Sequence, residues 1–184
     1  ALAALSAEQR AAKARAVLAR AAAITEFAGA RAVAAYHPLP DEIDITPLLR
    51  WVLDRGARLF LPRVEKQRGV PAMAMHEVAD LERDLALGCM GIREPKPQLP
   101  VARPEEIGLV IVPGRAFSPT CMRLGRGGGY YDRFLAQTPA FRLALALDEQ
   151  IVNAVPGESH DLPVNLVLTP TRTFREDVRK GRQG

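Results

Sequence analysis

Residues Arg123-Leu124-Gly125-Arg126-Gly127-Gly128-Gly129-Tyr130-Tyr131-Asp132 bring together the groups that a polyphosphate and its cation require. Four glycines within five positions let a backbone approach a ligand closely and turn its N–H groups toward it. Arg123 and Arg126 add guanidinium donors, and Asp132 adds a carboxylate of the kind that ligates Mg²⁺. Tyr130 to Ala136 reads as a short helix whose N-terminus faces back at the glycines, which favours an anion there. A surface turn, or an RGG-like patch for nucleic acid, would use the same residue types. A P-loop is excluded, because no Lys-Ser or Lys-Thr follows the glycines. A dinucleotide fingerprint is excluded too, since Gly125-Arg126-Gly127 lacks a third glycine at the required offset.

Such a loop needs a strand to carry it. Leu109 to Val112 is an apolar run stopped by Pro113-Gly114, as expected of a parallel strand feeding a ligand-bearing loop. Upstream, Ser6-Ala7-Glu8-Gln9 fits a capping box that opens a helix to about Phe27. Its stripe of Val17, Leu18, Ala21, Ala22 and Ile24 would pack along a sheet. Further strands are expected at Ala32–Tyr36, Arg58–Leu61 (ended by Pro62), Ala72–Val78, Arg142–Leu147 and Leu166–Thr169. A helix should run from Ile45 to Leu53, starting near Thr46-Pro47 and stopped by Gly56. Pro95 to Pro100 is an irregular connector rather than a domain boundary, and no internal repeat is present. Strands alternating with helices predict an α/β domain with a largely parallel sheet.

The 184 residues suit one domain over 1–171, with a basic tail over 172–184. The net charge of +4 is mostly a tail effect. Arg172, Arg175, Arg179, Lys180 and Arg182 outweigh Glu176 and Asp177 by three, which leaves the body at +1. That is too little for a nucleic-acid surface, and the tail reads as a frayed or solvated end. Glu8, Arg10, Lys13 and Arg15 interrupt the alanine-rich start, which is wrong for a secretory h-region, and no apolar run is long enough to cross a membrane. Cys89 and Cys121 form no CxxC pair and fit a reducing, cytoplasmic setting. His37, His76 and His160 are too widely spaced to make a zinc site with them.

The block Val112-Pro113-Gly114-x-Ala116-Phe117, followed by the glycine loop and Arg133-Phe134-Leu135, resembles the 5-formyltetrahydrofolate cyclo-ligase family, also called 5,10-methenyltetrahydrofolate synthetases. The likeness continues in the family's order through Tyr36-x-Pro38, Asp41-Glu42-Ile43-Asp44 and Leu61-Pro62-x-Val64. It also takes in Gly91-Ile92-x-Glu94-Pro95, Gln150 and Pro156-x-Glu158-x-His160-Asp161. It spans residues 31 to 169, and it implies a Rossmann-like, three-layer domain with helices on both faces of the sheet.

By resemblance, the chain would phosphorylate the formyl oxygen of 5-formyltetrahydrofolate with ATP, and ring closure would give 5,10-methenyltetrahydrofolate. ATP would bind Arg123, Leu124, Gly125, Arg126, Gly127, Gly128, Gly129, Tyr130 and Tyr131. The folate, with or without a polyglutamate tail, would meet Leu39, Glu42, Arg126 and Tyr130, and Arg126 and Tyr130 are the implied catalytic residues. Asp132 and Asp161 match the family's Mg²⁺ carboxylates. Charge placement suffices for this chemistry, so His160 reads as structural, and Trp51 as core packing. One of Tyr130 and Tyr131 should face the core, because neighbours on a helix point apart.

The chain also departs from the family. Relatives usually carry a basic segment ahead of the position where Ala1 aligns, and that segment is assigned to ATP. Either residues before Ala1 supply it or one phosphate clamp is lost. Ser118 stands for a usual Asp, Cys121 for a usual Gly and Asn165 for a usual Asp, while Gly128 is lysine in some relatives. The alternative function is a non-catalytic folate- or RNA-binding relative with a vestigial loop. The leading expectation is a monomeric enzyme, with no membrane and no nucleic-acid partner, in which Asp132→Ala abolishes turnover and spares the fold.

Overall fold

The structure is a computed structural model that describes residues 5–67, 70–88, 91–156 and 161–177. The Ser6 side chain accepts from the Gln9 N–H and Gln9 answers to the Ser6 backbone, so the capping box opens α1 (Ala7–Ala23) as expected. The helix stops short of Phe27. Ile24 turns extended, and a separate turn, α2 (Thr25–Ala28), follows. Ile24-Thr25 places two β-branched residues in succession, and these are poor at continuing a helix.

Five strands lie parallel in the middle of the sheet: β1 (Ala32–Ala34), β2 (Arg58–Gln67), β6 (Leu109–Ile111), β9 (Phe141–Leu145) and β10 (Leu166–Leu168). β3 (Val70–Val78) and β11 (Thr173–Arg175) close the two edges antiparallel. The order is β11-β10-β9-β6-β1-β2-β3. α3 (Thr46–Asp54) links β1 to β2, and α4 (Tyr130–Leu135) lies between β6 and β9. Two short ribbons, β4 (Leu85–Leu87) with β5 (Arg93–Pro95) and β7 (Ala116–Phe117) with β8 (Arg123–Leu124), complete the set.

Side chains alternate along each strand and build a separate core on each face. On one, Val33, Leu59, Leu109 and Leu143 meet Val17, Leu18 and Ala21 of α1 and Leu48, Leu49 and Val52 of α3. On the other, Ala34, Phe60, Val110 and Ala144 meet Phe134 and Leu135 of α4. This is the three-layer, mostly parallel arrangement that the sequence predicted. Trp51 stacks on Phe27 with ring centroids 5.3 Å apart, as a packing residue should. No helix among the described residues is long and apolar enough to cross a membrane.

Two expectations fail for clear reasons. Pro62 does not end β2. The pairing with β1 stops at Phe60, so from Leu61 onward β2 has a neighbour on the β3 side only, and the missing N–H costs no ladder bond there. The tail is not frayed over 173–175 either, since these residues form β11 against β10. Its charges are engaged: Arg175 pairs with Glu26 at 3.0 Å, Arg172 with Asp148 at 3.4 Å, and Glu176 accepts from Asn165 at 2.7 Å. An Asp at 165 would set two carboxylates against each other, whereas the amide supplies the donor.

Candidate active site

The β1–β2 connection passes over one face of the sheet and the β6–β9 connection over the other, so the strand order reverses between β1 and β6. A crevice opens at the carboxyl ends of strands at such a point, and open α/β sheets place ligands there. Its walls are the loop after β1, holding Tyr36 to Asp44, and the segment after β6 that runs through the glycine loop to α4.

Tight packing fixes the root of that second wall. A Cβ on Gly114 would lie 2.5 Å from Cζ of Phe117, which is fully buried. Gln150 then donates to the Gly114 carbonyl at 3.2 Å and accepts from Leu147 N–H at 2.8 Å. Gly114→Ala should therefore cost about 1–3 kcal/mol by overpacking, read as a lower urea midpoint with an unchanged slope. An unchanged midpoint would mean that Phe117 can move aside. Further on, Cys121 adopts φ 64, the left-handed conformation glycine tolerates best, which suits the glycine that the resemblance implied there. Burial pushes its thiol up to about 11. The Ser118 hydroxyl accepts from Met122 N–H at 3.2 Å and secures the same turn.

Gly127 takes φ +85 with open space where a side chain would be, and Gly129 takes φ +61 as it caps α4. A side chain at either position would strain the backbone, and one at Gly128 would strike the Tyr130 ring at 2.8 Å. Lysine at 128 would thus require Tyr130 to shift. The ring of Tyr130 carries the Arg133 guanidinium 5.1 Å from its centroid, and Arg133 donates to the Gly128 carbonyl at 3.2 Å. Arg133 was not singled out beforehand, although its offset of three from Tyr130 puts the two on one helix face.

The two loop arginines differ. Arg123 is nearly enclosed and bonds Asp132 Oδ1 at 2.5 Å, while its Nε is buried without a partner. Arg126 is exposed and spans the crevice, 2.6 Å from Asp41 Oδ1 and 3.5 Å from Glu42 Oε1. Partial burial opposes its charge, but the bonds to Asp41 and Glu42 outweigh that and raise its pKa. The other oxygen of Glu42 accepts the Leu39 N–H at 3.0 Å. The glycine loop and the loop after β1 thus touch through one guanidinium.

The tyrosine pair divides as expected. Tyr131 packs toward the core of its face, and its hydroxyl is buried with no hydrogen-bond partner. Burial, then the nearby Glu42 carboxylate, raise its pKa, and the same causes raise that of buried Tyr36. Leu124 is exposed on β8, and Asp161 is half-buried in the connection between β9 and β10. His160, Glu158 and Cys89 lie outside the described residues. A cleft of about 210 Å³ lies between α1 and the first wall, lined by Arg10, Ala14, Asp41, Glu42, Leu147 and Gln150 among others. The larger hollow, about 530 Å³, lies by Arg31 and Arg55 where β1 and β2 begin, at the far end of the sheet from this chemistry.

The model of the 5-formyltetrahydrofolate cyclo-ligase family matches residues 1–170. The chain is a member of that family. The 5-formyltetrahydrofolate cyclo-ligase of Mycolicibacterium smegmatis is 34% identical over 145 residues, 77% of this chain and 75% of that protein. That of Escherichia coli K12 is 30% identical over 152 residues, 79% of this chain and 81% of the other. An NMR structure of Aquifex aeolicus 5,10-methenyltetrahydrofolate synthetase superposes with a TM-score of 0.81 at 32% identity, over 98% of this chain and 88% of that one. The Mycoplasma pneumoniae synthetase, 18% identical, shares the fold at a TM-score of 0.71. The cyclo-ligase family is one of ligases acting in folate one-carbon metabolism. In this chain the charges of Arg126, Asp41 and Glu42 converge at the crevice between β1 and β6.

Proposed function

We propose that the chain converts 5-formyltetrahydrofolate to 5,10-methenyltetrahydrofolate with ATP and Mg²⁺. The observation that carries this reading is the position of Arg126, which joins the glycine cradle to the carboxylate edge of the first wall. A reaction that hands a phosphoryl group to a folate oxygen needs both substrates in reach of one positive charge.

In this reading Arg123, Arg126 and the N–H groups of Gly125 to Gly129 hold the phosphates, with the open side at Gly127 allowing the closest approach. Glu42 accepts donors from the amino-pyrimidinone edge of the pterin, with Leu39 beside it, and Tyr130 borders both substrates. The formyl oxygen takes the γ-phosphoryl group and ADP departs. The ten-position nitrogen attacks the activated carbon, phosphate leaves, and the nitrogen's proton passes to solvent or phosphate. Holding the reactants in line does most of the work.

The donor set suits Mg²⁺. Among the described residues, no three His, Cys, Asp or Glu side chains gather into a metal cage. Mg²⁺ takes one or two carboxylates plus phosphate and water, so Asp132 and Asp161 are sufficient holders. When bound, the ion would neutralise phosphate charge. Two isolated cysteines support a cytoplasmic setting, and a monomer suffices for this site.

The test mixes the protein with 5-formyltetrahydrofolate, ATP and Mg²⁺ and follows the near-ultraviolet absorbance of the methenyl product. Growth that requires ATP and stops on chelation is the expected result. Salt-sensitive RNA binding without folate-dependent ATP hydrolysis would overturn it.

A further inference from the structure

Asp41 has no role in the chemistry above, yet it makes the shorter of the two contacts to Arg126, 2.6 Å against 3.5 Å for Glu42. We propose that Asp41 is a positioning residue that parks Arg126 across the crevice and yields it to a nucleotide phosphate, so that nucleotide entry and exposure of Glu42 are one event. The inference rests on the reading that Arg126 receives phosphate.

Three observations support it. First, Asp41 and Arg126 both keep about half of their side-chain surface in water, 58% and 43%, so their bond is cheap to exchange. Second, the loop carrying Arg126 is followed by two positive-φ glycines, Gly127 and Gly129, and open space surrounds the first. Third, Glu42 is already held by Leu39 N–H through its other oxygen, so it stays in place when the guanidinium leaves.

Competition has a sign that a structural role lacks. As long as Asp41 holds Arg126, a phosphate must displace a carboxylate to reach it. Removing the competing charge should strengthen nucleotide binding, whereas damage to the loop should weaken it. An exposed pair of this kind corresponds to a factor of about 2–5 in affinity. The gain must also vanish when Arg126 is absent, because Asp41 then has nothing to withhold.

The experiment titrates a non-hydrolysable ATP analogue with Mg²⁺ into the wild type, Asp41→Asn, Arg126→Ala and the double variant by calorimetry. The expected pattern is 2–5-fold tighter binding in Asp41→Asn, weaker binding in Arg126→Ala, and no difference between Arg126→Ala and the double variant. In steady state, KM for ATP should fall in Asp41→Asn by more than kcat changes. Unchanged or weaker binding in Asp41→Asn overturns the proposal and leaves the nucleotide site standing. An equal gain with and without Arg126 also overturns it, by showing that Asp41 acts as a diffuse negative field. A wild type that binds no analogue, or an Arg126→Ala that binds as well as wild type, removes the phosphate reading itself.

Discussion

Asp132→Asn should lower turnover by about 100-fold or more while the protein stays folded, and Asp132→Ala should lower stability as well. The sequence treats Asp132 as an isolated metal ligand that can be cut back without harm to the fold. The structure shows it bonded to Arg123 Nη2 at 2.5 Å, and that guanidinium is only 5% exposed. Alanine would strand a buried charge, which costs about 3–5 kcal/mol. For a chain of this size that is about 6–20 °C in Tm. Asparagine keeps an oxygen for Arg123 and loses only the charge, so it separates the two roles. Thermal melts beside single-turnover measurements read both. Near-normal turnover in Asp132→Asn would sink the metal assignment, and a fully stable Asp132→Ala would show that Arg123 finds another partner.

Tyr131→Phe should move stability and activity in opposite directions. The hydroxyl is buried and unpartnered, which costs about 1–3 kcal/mol, so its removal should raise Tm by about 2–4 °C or more. Glu42 and Arg123, one from each wall of the crevice, are the charged groups whose fields reach it. If a substrate completes its hydrogen bond, the loss should be about 10- to 100-fold in kcat/KM, as for a bond to a charged or reacting group. A lower Tm would indicate that the hydroxyl is satisfied in the folded protein. Unchanged kcat/KM would leave it without a substrate.

The sequence made β6 and β10 legible because each is a short apolar run, Leu-Val-Ile after Gly108 and before Pro113, and Leu-Val-Leu between Pro163 and Pro170. The β4–β5 ribbon was not legible, since Leu85-Ala86-Leu87 carries no alternation and Leu87 lies exposed. β7 and β8, two residues each, fall below any periodic signal. At the candidate site, residue types singled out the glycine loop, its arginines and Asp132, because close backbone approach to an anion would call for those types. Pairings were a different matter. That Arg123 would bond Asp132, and Arg126 reach residues 85 and 84 positions away, follows from strand order and loop path. Cys121 lies between these cases: its place in a glycine position became meaningful only with its positive φ.

β11 also serves the protein's solubility. β10 is Leu-Val-Leu, buried throughout, and ends the run of parallel strands. Uncovered, it would offer a row of free N–H and C=O groups beside an apolar surface, a template for intermolecular pairing. Three residues of β11 seal that template, and with Thr173 and Arg175 exposed the new border is too short and too polar to recruit another chain. Arg20 of α1 bonds the Thr169 and Arg172 carbonyls and the Thr173 hydroxyl, so the first helix holds the seal shut. A chain ending at residue 171, where composition alone would place the domain's limit, would keep every residue proposed for the site and lose its protection against aggregation.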